Sequence, residues 1–428
     1  MNASAAFRMA VGHVRTPLYF NAYALIASNA ITSLLGLVYW SVAANLLTTV
    51  SIGLQSAAIS MMLFLSGIAQ LNLRVALFRL LPEAGRDATK LVWRSFGITL
   101  ATSLVVGGVV FGVGAAIGAP WTAIPELTAP GGILLLVAGT AAWSIFNLQD
   151  GVLAGLRRTG WVPVENTCYA VAKIVALVAV GGLLPAVGIV VSWIVPAIVL
   201  VAVVAVVLAV RWLPDHMAAQ PDRTLGMERS RLLGFVAADT VGAWFALAAT
   251  TLLPVLVVAA AGPESGGYFA IAWMVVTALD QVPVNIAASL TVESVHARSD
   301  LGPQTRRTVI HMARLLVPMT LLVVVAAPWI LRVFGSEYAA NATDLLRVGA
   351  LGLIPLAANA LFLAIARVRG EGRLILVTQA AIAVLTLAGS ALLLEPMGTL
   401  GVALAWLVAQ TVVAAFAVPL RLWPLIRR

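Results

Sequence analysis

Six ionisable side chains stand inside stretches of this chain that are otherwise apolar: Arg74, Asp150, Glu165, Lys173, Asp239 and Asp280. Uncharged polar groups accompany them, namely Asn29, Gln70, Asn72, Gln281 and Asn285. In hydrocarbon each ionised group costs roughly 2.5–3.5 kcal/mol on insertion scales, so each needs a partner or a task. The tasks differ by chemistry. A guanidinium fork matches the oxygens of a phosphate. A carboxylate can hold a proton or a sodium ion, or accept from hydroxyls. The bland alternative is that these charges pair with one another, as intramembrane charges commonly do. Asp150 and Glu165 fit it best, because both lie close to Arg157 and Arg158.

Other chemistries find no support. The single Cys168 excludes an internal disulfide and a cysteine zinc cluster. The four histidines, His13, His216, His296 and His311, are scattered without metal-ligand spacing. There is no phosphate-cradling GxxxxGK and no GxSxG nucleophile turn, so no cofactor, metal or catalytic residue is expected. Residues 1–17, with Arg8 and Arg15, do not read as a cleavable leader, because the apolar run after them is long enough to span.

The elements that must position these side chains follow from composition. The chain is 61% hydrophobic and 10% charged, with a mean hydropathy of +1.02. A soluble domain carries about 25% charged residues. This much apolar surface requires lipid as its solvent. Runs bounded by charge or by Pro/Gly clusters predict twelve spans, each near the length of about 20 apolar residues that crossing a bilayer needs. They fall near 19–46, 53–81, 91–117, 130–156, 160–183 and 187–212, then near 231–260, 266–295, 306–333, 342–366, 373–394 and 399–423. One sizeable hydrophilic linker, 214–230, divides residues 1–213 from 231–428. Of the 26 basic residues, 22 fall on one side of this layout. The positive-inside rule then puts both termini in the cytoplasm. Spread over seven short segments, the same residues make a poor nucleic-acid surface, so no nucleic-acid partner is expected. Trp121, Trp329 and Trp423 lie near predicted membrane boundaries, and Gly108, Gly112, Gly114 and Gly118 have the spacing of close helix packing.

The two parts repeat one another. GIVVSW (188–193) and GVALAW (401–406) lie 213 positions apart. At nearly the same offset Gly53 falls over Gly267, and RRTG (157–160) over RGEG (369–372). One register held across a whole half is the mark of an internal duplication. With six spans each, the copies are parallel and related by an axis along the membrane normal, which favours two bundles around a central cavity.

On particular residues the sequence resembles a family. YWSVAANLLTTVSIGLQSAAIS (39–60) followed by LNLRVALFRLLPEAG (71–85) resembles the first two helices of bacterial polysaccharide flippases of the multidrug/oligosaccharidyl-lipid/polysaccharide exporter superfamily. FGSEYAANATDLLRVGALGLIP (334–355) is similar to its outer loop after helix 9, and DGVLAGLRRTGWVPVENTCYAVAKIV (150–175) to its helix 4–5 hairpin. The resemblance implies an all-α integral membrane protein of twelve transmembrane helices in two parallel six-helix lobes, with helices 1, 2, 7 and 8 lining the cavity. It implies transport of a polyprenyl-diphosphate-linked oligosaccharide across the bacterial cytoplasmic membrane, by alternating access, rather than an enzyme activity. Peptidoglycan-precursor flippases usually carry two further helices, for which 428 residues leave no room.

Within that frame Arg74, Asp239 and Asp280 fall on cavity helices and break the repeat: their counterparts are Ala288, Leu25 and Ser66. Arg74, with Asn29, Asp280 and Lys173, is the expected substrate-binding set, Arg74 attracting the lipid diphosphate. Asp239 or Asp280 is expected to bind a coupling proton or sodium ion. Arg79 and Glu293, symmetry-related and opposite in charge, are expected to meet as a gate between the lobes. Two other readings compete. A multidrug or small-molecule cation-coupled antiporter on the same scaffold would want a dominant acidic cavity, which Arg74 and Lys173 oppose. A membrane glycosyltransferase or polymerase would want carboxylates or basic groups on substantial loops, and the loops here are short.

Overall fold

The computed structural model describes residues 17–219, 229–297 and 301–422, with the side chains of 31–219, 240–290 and 302–420. These residues form helices joined by short turns, with no strand among them. In hydrocarbon every backbone N–H and C=O needs an internal partner, and an apolar run of membrane length achieves that as a helix. Nine stretches among the described residues are long and apolar enough to cross a membrane. Large apolar side chains such as Ile117, Leu392 and Phe416 point outward, where a core would otherwise claim them. This is a multi-pass membrane protein.

In the N-terminal half, α1 (Pro17–Leu46) turns into α2 (Thr49–Ala69). Thr48 fixes the corner, its hydroxyl accepting from Ser51 N–H at 3.2 Å. After α2, Leu71 and Asn72 take left-handed φ angles of 49° and 56° before α3 (Leu73–Leu80) resumes. A break here frees carbonyls inside the membrane, and neighbouring side chains answer them. Ser144 Oγ donates to Ser66 O at 3.1 Å, and Thr102 Oγ1 to Ala69 O at 2.6 Å. Thr102 belongs to α4 (Ala88–Ile117) and Ser144 to α5 (Pro130–Gly155). The half closes with α6 (Trp161–Gly181) and α7 (Gly188–Val207). The start of α7 is buried, so its free amides need a partner. Gln55 on α2 supplies one: its Oε1 accepts from Ile189 N–H at 2.7 Å and Val190 N–H at 3.3 Å, while its Nε2 donates to Pro185 O at 3.0 Å.

Helix continues from α7 through residues 208–212 into α8 (Leu213–Ala219). The linker expected from 214 therefore begins as helix, and it is pinned to the N-terminal half. Arg158 pairs with Asp215 at 3.1 Å, the His216 ring contacts Leu81 O at 3.1 Å, and Thr89 Oγ1 donates to Met217 Sδ at 3.0 Å.

The C-terminal half comprises α9 (Arg229–Thr251), α10 (Leu253–Ala297), α11 (Leu301–Arg332), α12 (Ser336–Leu351), α13 (Leu353–Val368) and α14 (Gly372–Ala417). Two of these reverse direction, at Gly262 (φ 87°) and Gly398 (φ 59°). A Cβ on Gly266 would lie 2.3 Å from Val258, and one on Gly401 2.2 Å from Leu393 O. Residues eight apart in a straight helix are about 12 Å apart, so each element is a hairpin of two arms. An ordinary side chain at Gly262 or Gly398 would be strained at these positive φ angles.

The repeat has a physical counterpart. A Cβ on Gly53 would lie 1.9 Å from Pro263 O and 2.8 Å from Gly267 N; one on Gly267 would lie 2.1 Å from Thr49 O. The repeat-matched glycines thus face each other across the boundary between the halves, as residues beside a twofold axis must. A further matched pair, Gly139 and Gly352, lies under Ile194 and Trp406. The seam continues along α2 to Gly67, whose Cβ would meet Leu247 of α9 at 2.2 Å. From Gly53 to Gly67 that is about 20 Å of helix. Beyond the break, α3 leaves the seam and packs chiefly on α5.

Two packing expectations are corrected. Gly108 and Gly112 have nothing within 4 Å; the close approach is one residue away, at Gly107 against Val137. Trp121 is not an interfacial anchor. It is buried against Phe111, in the notch left by Gly114. Trp329 is exposed, and Trp423 lies outside the described residues.

Candidate functional site

Arg74 is the first charged residue after the break in α2, exposed, on the first turn of α3. Gly151 sets its position. A Cβ there would lie 2.6 Å from Arg74 O and 2.8 Å from Arg74 Cγ, so only a glycine lets α3 seat on α5. Ion pairs join Arg158 to Asp215 and Arg347 to Asp344, both at 3.1 Å. Arg74 is in neither. Asp150 and Glu165 do not pair with Arg157 and Arg158 as the bland reading expected: Arg158 is taken by Asp215 and lies 5.5 Å from the Trp212 ring centroid. Asp150 Oδ1 and both carboxylate oxygens of Glu165 are instead buried without a hydrogen-bond partner, and Gly151 brings Arg74 against the helix that carries Asp150.

Lys173 is buried inside the N-terminal half. Its ammonium lies over three rings, with centroids at 4.3 Å (Trp193), 4.7 Å (Tyr39) and 5.5 Å (Tyr169). The box is braced from outside. Tyr39 and Ser192 hydroxyls share a hydrogen bond of 2.7 Å, Tyr169 donates to Trp193 O at 3.2 Å, and Trp143 packs on Tyr169 and Trp193. A desolvated cation–π contact is worth about 2 kcal/mol or more, so three rings can hold an ammonium that has no carboxylate within ion-pair distance. Tyr169, four residues before Lys173 and therefore on its helix face, is the part of this box that spacing makes legible. Tyr39 and Trp193 arrive from other helices and carry no such signal.

Asp280, on the second arm of α10, is 6% exposed, and its Oδ1 has no hydrogen-bond partner. No ion pair brings it to Arg74. The C-terminal half has its own buried polar pair, Asn359 Nδ2 donating to Gln410 Oε1 at 2.8 Å and to Gln410 O at 2.9 Å. Arg79 ends α3, exposed. Asn29, Asp239 and Glu293 have side chains outside the described residues, so the expected Arg79–Glu293 gate and the Asp239 ion site are not described.

The comparisons with known proteins agree with this architecture. Among solved structures, the lipid II flippase MurJ in an inward closed conformation aligns with a TM-score of 0.71 at 11% identity, covering 93% of this chain and 86% of that one. An inward-facing multidrug resistance MATE family transporter of the MOP superfamily aligns at 0.69 and 16%, covering 92% and 96%. A MOP superfamily transporter from Pyrococcus furiosus aligns at 0.63 and 16%, covering 95% of each. These likenesses show the fold, which is that of MATE and MurJ transporters. No curated protein matches the chain. The family model described as polysaccharide biosynthesis protein matches residues 18–292. With well over half of its length inside that match and its fold that of the transporters just named, the chain belongs to the polysaccharide biosynthesis protein family.

Proposed function

We propose that the protein moves a polyprenyl-diphosphate-linked oligosaccharide across the cytoplasmic membrane, by alternating access of two six-helix lobes, 1–213 and 231–428, during synthesis of a cell-surface polysaccharide. The observation that carries the reading is the asymmetry of the seam. The halves touch from Gly53 to Gly67, and beyond the break α3 packs on α5 and presents an exposed, repeat-breaking Arg74. In the orientation given by the positive-inside rule, with both termini cytoplasmic and twelve spans, the seal is at the outer side and Arg74 on the cytoplasmic side. A guanidinium there suits a doubly anionic diphosphate, which enters as a headgroup while its lipid tail stays in the bilayer. Asn29 and Asp280 supply hydroxyl partners for the sugars, with Asp239 or Asp280 the site of a coupling proton or sodium ion. Lys173, behind its ring box, adds fixed positive potential to the N-terminal lobe. Arg79 and Glu293 meet when the cytoplasmic side closes.

The test is depletion in cells. The reading expects lipid-linked oligosaccharide to accumulate on the inner leaflet, and expects wild-type protein, but not Arg74→Ala at equal membrane level, to clear it. Accumulation in neither case would overturn it.

A further inference from the structure

The ring box around Lys173 has no counterpart in the other half of the molecule. At the offset of 213 that carries Gly139 onto Gly352, Lys173 falls on Thr386, Tyr169 on Ile382, Tyr39 on Leu252 and Ser192 on Ala405. Trp193 alone keeps its ring, as Trp406, and that ring is fully buried against Trp273. Thr386 Oγ1, in the place of the lysine, is buried with no hydrogen-bond partner. Duplication accounts for residues that match. A lysine and two tyrosines present on one copy only need a reason that belongs to that copy.

Packing does not supply it. A buried cation is strongly penalised unless a partner offsets the lost water, and no ion pair with a carboxylate holds Lys173 among the described residues. Three helices instead bring rings to one point: α7 with Trp193 at 4.3 Å, α1 with Tyr39 at 4.7 Å and α6 with Tyr169 at 5.5 Å. All lie within the roughly 6 Å at which a ring face attracts a cation. The braces do not involve the lysine: Tyr39 bonds Ser192, Tyr169 bonds Trp193 O, and Trp143 packs behind both Tyr169 and Trp193. The walls therefore stand without their occupant. Trp193 and Trp143 are only half-buried, which puts the box one ring below the surface. Aromatic cages of this make-up are a general means of holding alkylammonium ligands.

We propose that the box is an alkylammonium site that the chain fills with its own Lys173, and that Lys173 thereby sets the specificity of the N-terminal half, keeping organic cations out while leaving a fixed positive charge in place. Neither Arg74 nor a diphosphate enters this step, so its failure leaves the transport reading standing. The probe is n-propylammonium, which matches the Cγ, Cδ, Cε and Nζ atoms that Lys173→Ala deletes, with n-propanol as the neutral control. Binding to the full-length protein in detergent is read by ligand-observed NMR. Lys173→Ala is expected to bind the ammonium with a dissociation constant on the order of 1 mM, as suits so small a fragment, and about tenfold or more tighter than propanol. Wild type and Lys173→Met, in which the box stays filled, should bind neither. Adding Tyr39→Leu to Lys173→Ala, the residue of the matched position, should weaken ammonium binding severalfold and leave propanol unchanged. Should Lys173→Ala fail to fold, Lys173→Thr, again the residue of the matched position, takes its place with ethylammonium against ethanol. Equal affinity for ammonium and alcohol, no binding by the opened variant, or equal binding by wild type would each overturn the proposal.

Discussion

Replacing Gly53 by alanine puts a methyl group in place of a hydrogen where the two halves are in close contact. The new Cβ would stand 1.9 Å from Pro263 O, and ordinary contact begins at 3.4 Å, so the helices must part by about 1.5 Å. The obstacle is main chain on both sides and has no rotamer in which to yield. Overpacking of this kind costs about 1–3 kcal/mol. Placed on a seal between two states, that energy shifts their populations roughly 5- to 150-fold. The assay is a spin-label distance across the seam, with labels at Val50 and Glu264, both exposed, in a background where the exposed Cys168 is replaced by serine. Wild type should give one short distance. Gly53→Ala should move most of the population to a longer one, and Gly267→Ala, which meets Thr49 O at 2.1 Å, should do the same. Gly108→Ala, with nothing within 4 Å, should leave the distance unchanged. An unaltered short distance in correctly folded Gly53→Ala would refute the reasoning that this seal defines the state.

Other expectations are narrower. Lys173→Met should fold with equal or greater stability, because a buried cation without a carboxylate partner is replaced by an apolar chain of similar volume; detergent melting would check this, and loss of transport alongside would give the ammonium a working role. Gln55→Leu strands the buried amides of Ile189 and Val190 at about 1–3 kcal/mol for each unpaired group, so the melting temperature should drop clearly. Arg158→Ala should change stability by no more than about 1 kcal/mol, because its pair with Asp215 is partly exposed.

Much of the scaffold was legible because lipid imposes a simple rule on sequence. Long apolar runs, their reversal at glycines and the half-length repeat all follow from composition and spacing. The match of Gly53 with Gly267 marked the repeat, and the fold then showed that the two glycines touch across the halves. What sequence hid depends on which helices become neighbours. Asp150 and Glu165 lie close to Arg157 and Arg158 in the chain, yet the fold gives Arg158 to Asp215, 57 residues on, and leaves both acids with buried oxygens that have no hydrogen-bond partner. Gln55 reads as an ordinary polar residue near a helix start, and only packing shows it serving amides 134 residues away. Of the α4 glycines that spacing picked out, Gly114 is filled by Trp121 while Gly108, Gly112 and Gly118 meet nothing within 4 Å, because spacing alone does not say which stripe meets a neighbour.

The most direct measurement is flipping by the purified protein in liposomes, read as the rate at which a polyprenyl-diphosphate-linked oligosaccharide becomes accessible on the far leaflet. Wild type should show protein-dependent, saturable exposure. Arg74→Ala should be slower by roughly tenfold or more, since a hydrogen bond to a charged group contributes about 1.5–3 kcal/mol. Liposomes in which the oligosaccharide lipid never crosses, while a small organic cation is carried instead, would contradict the account.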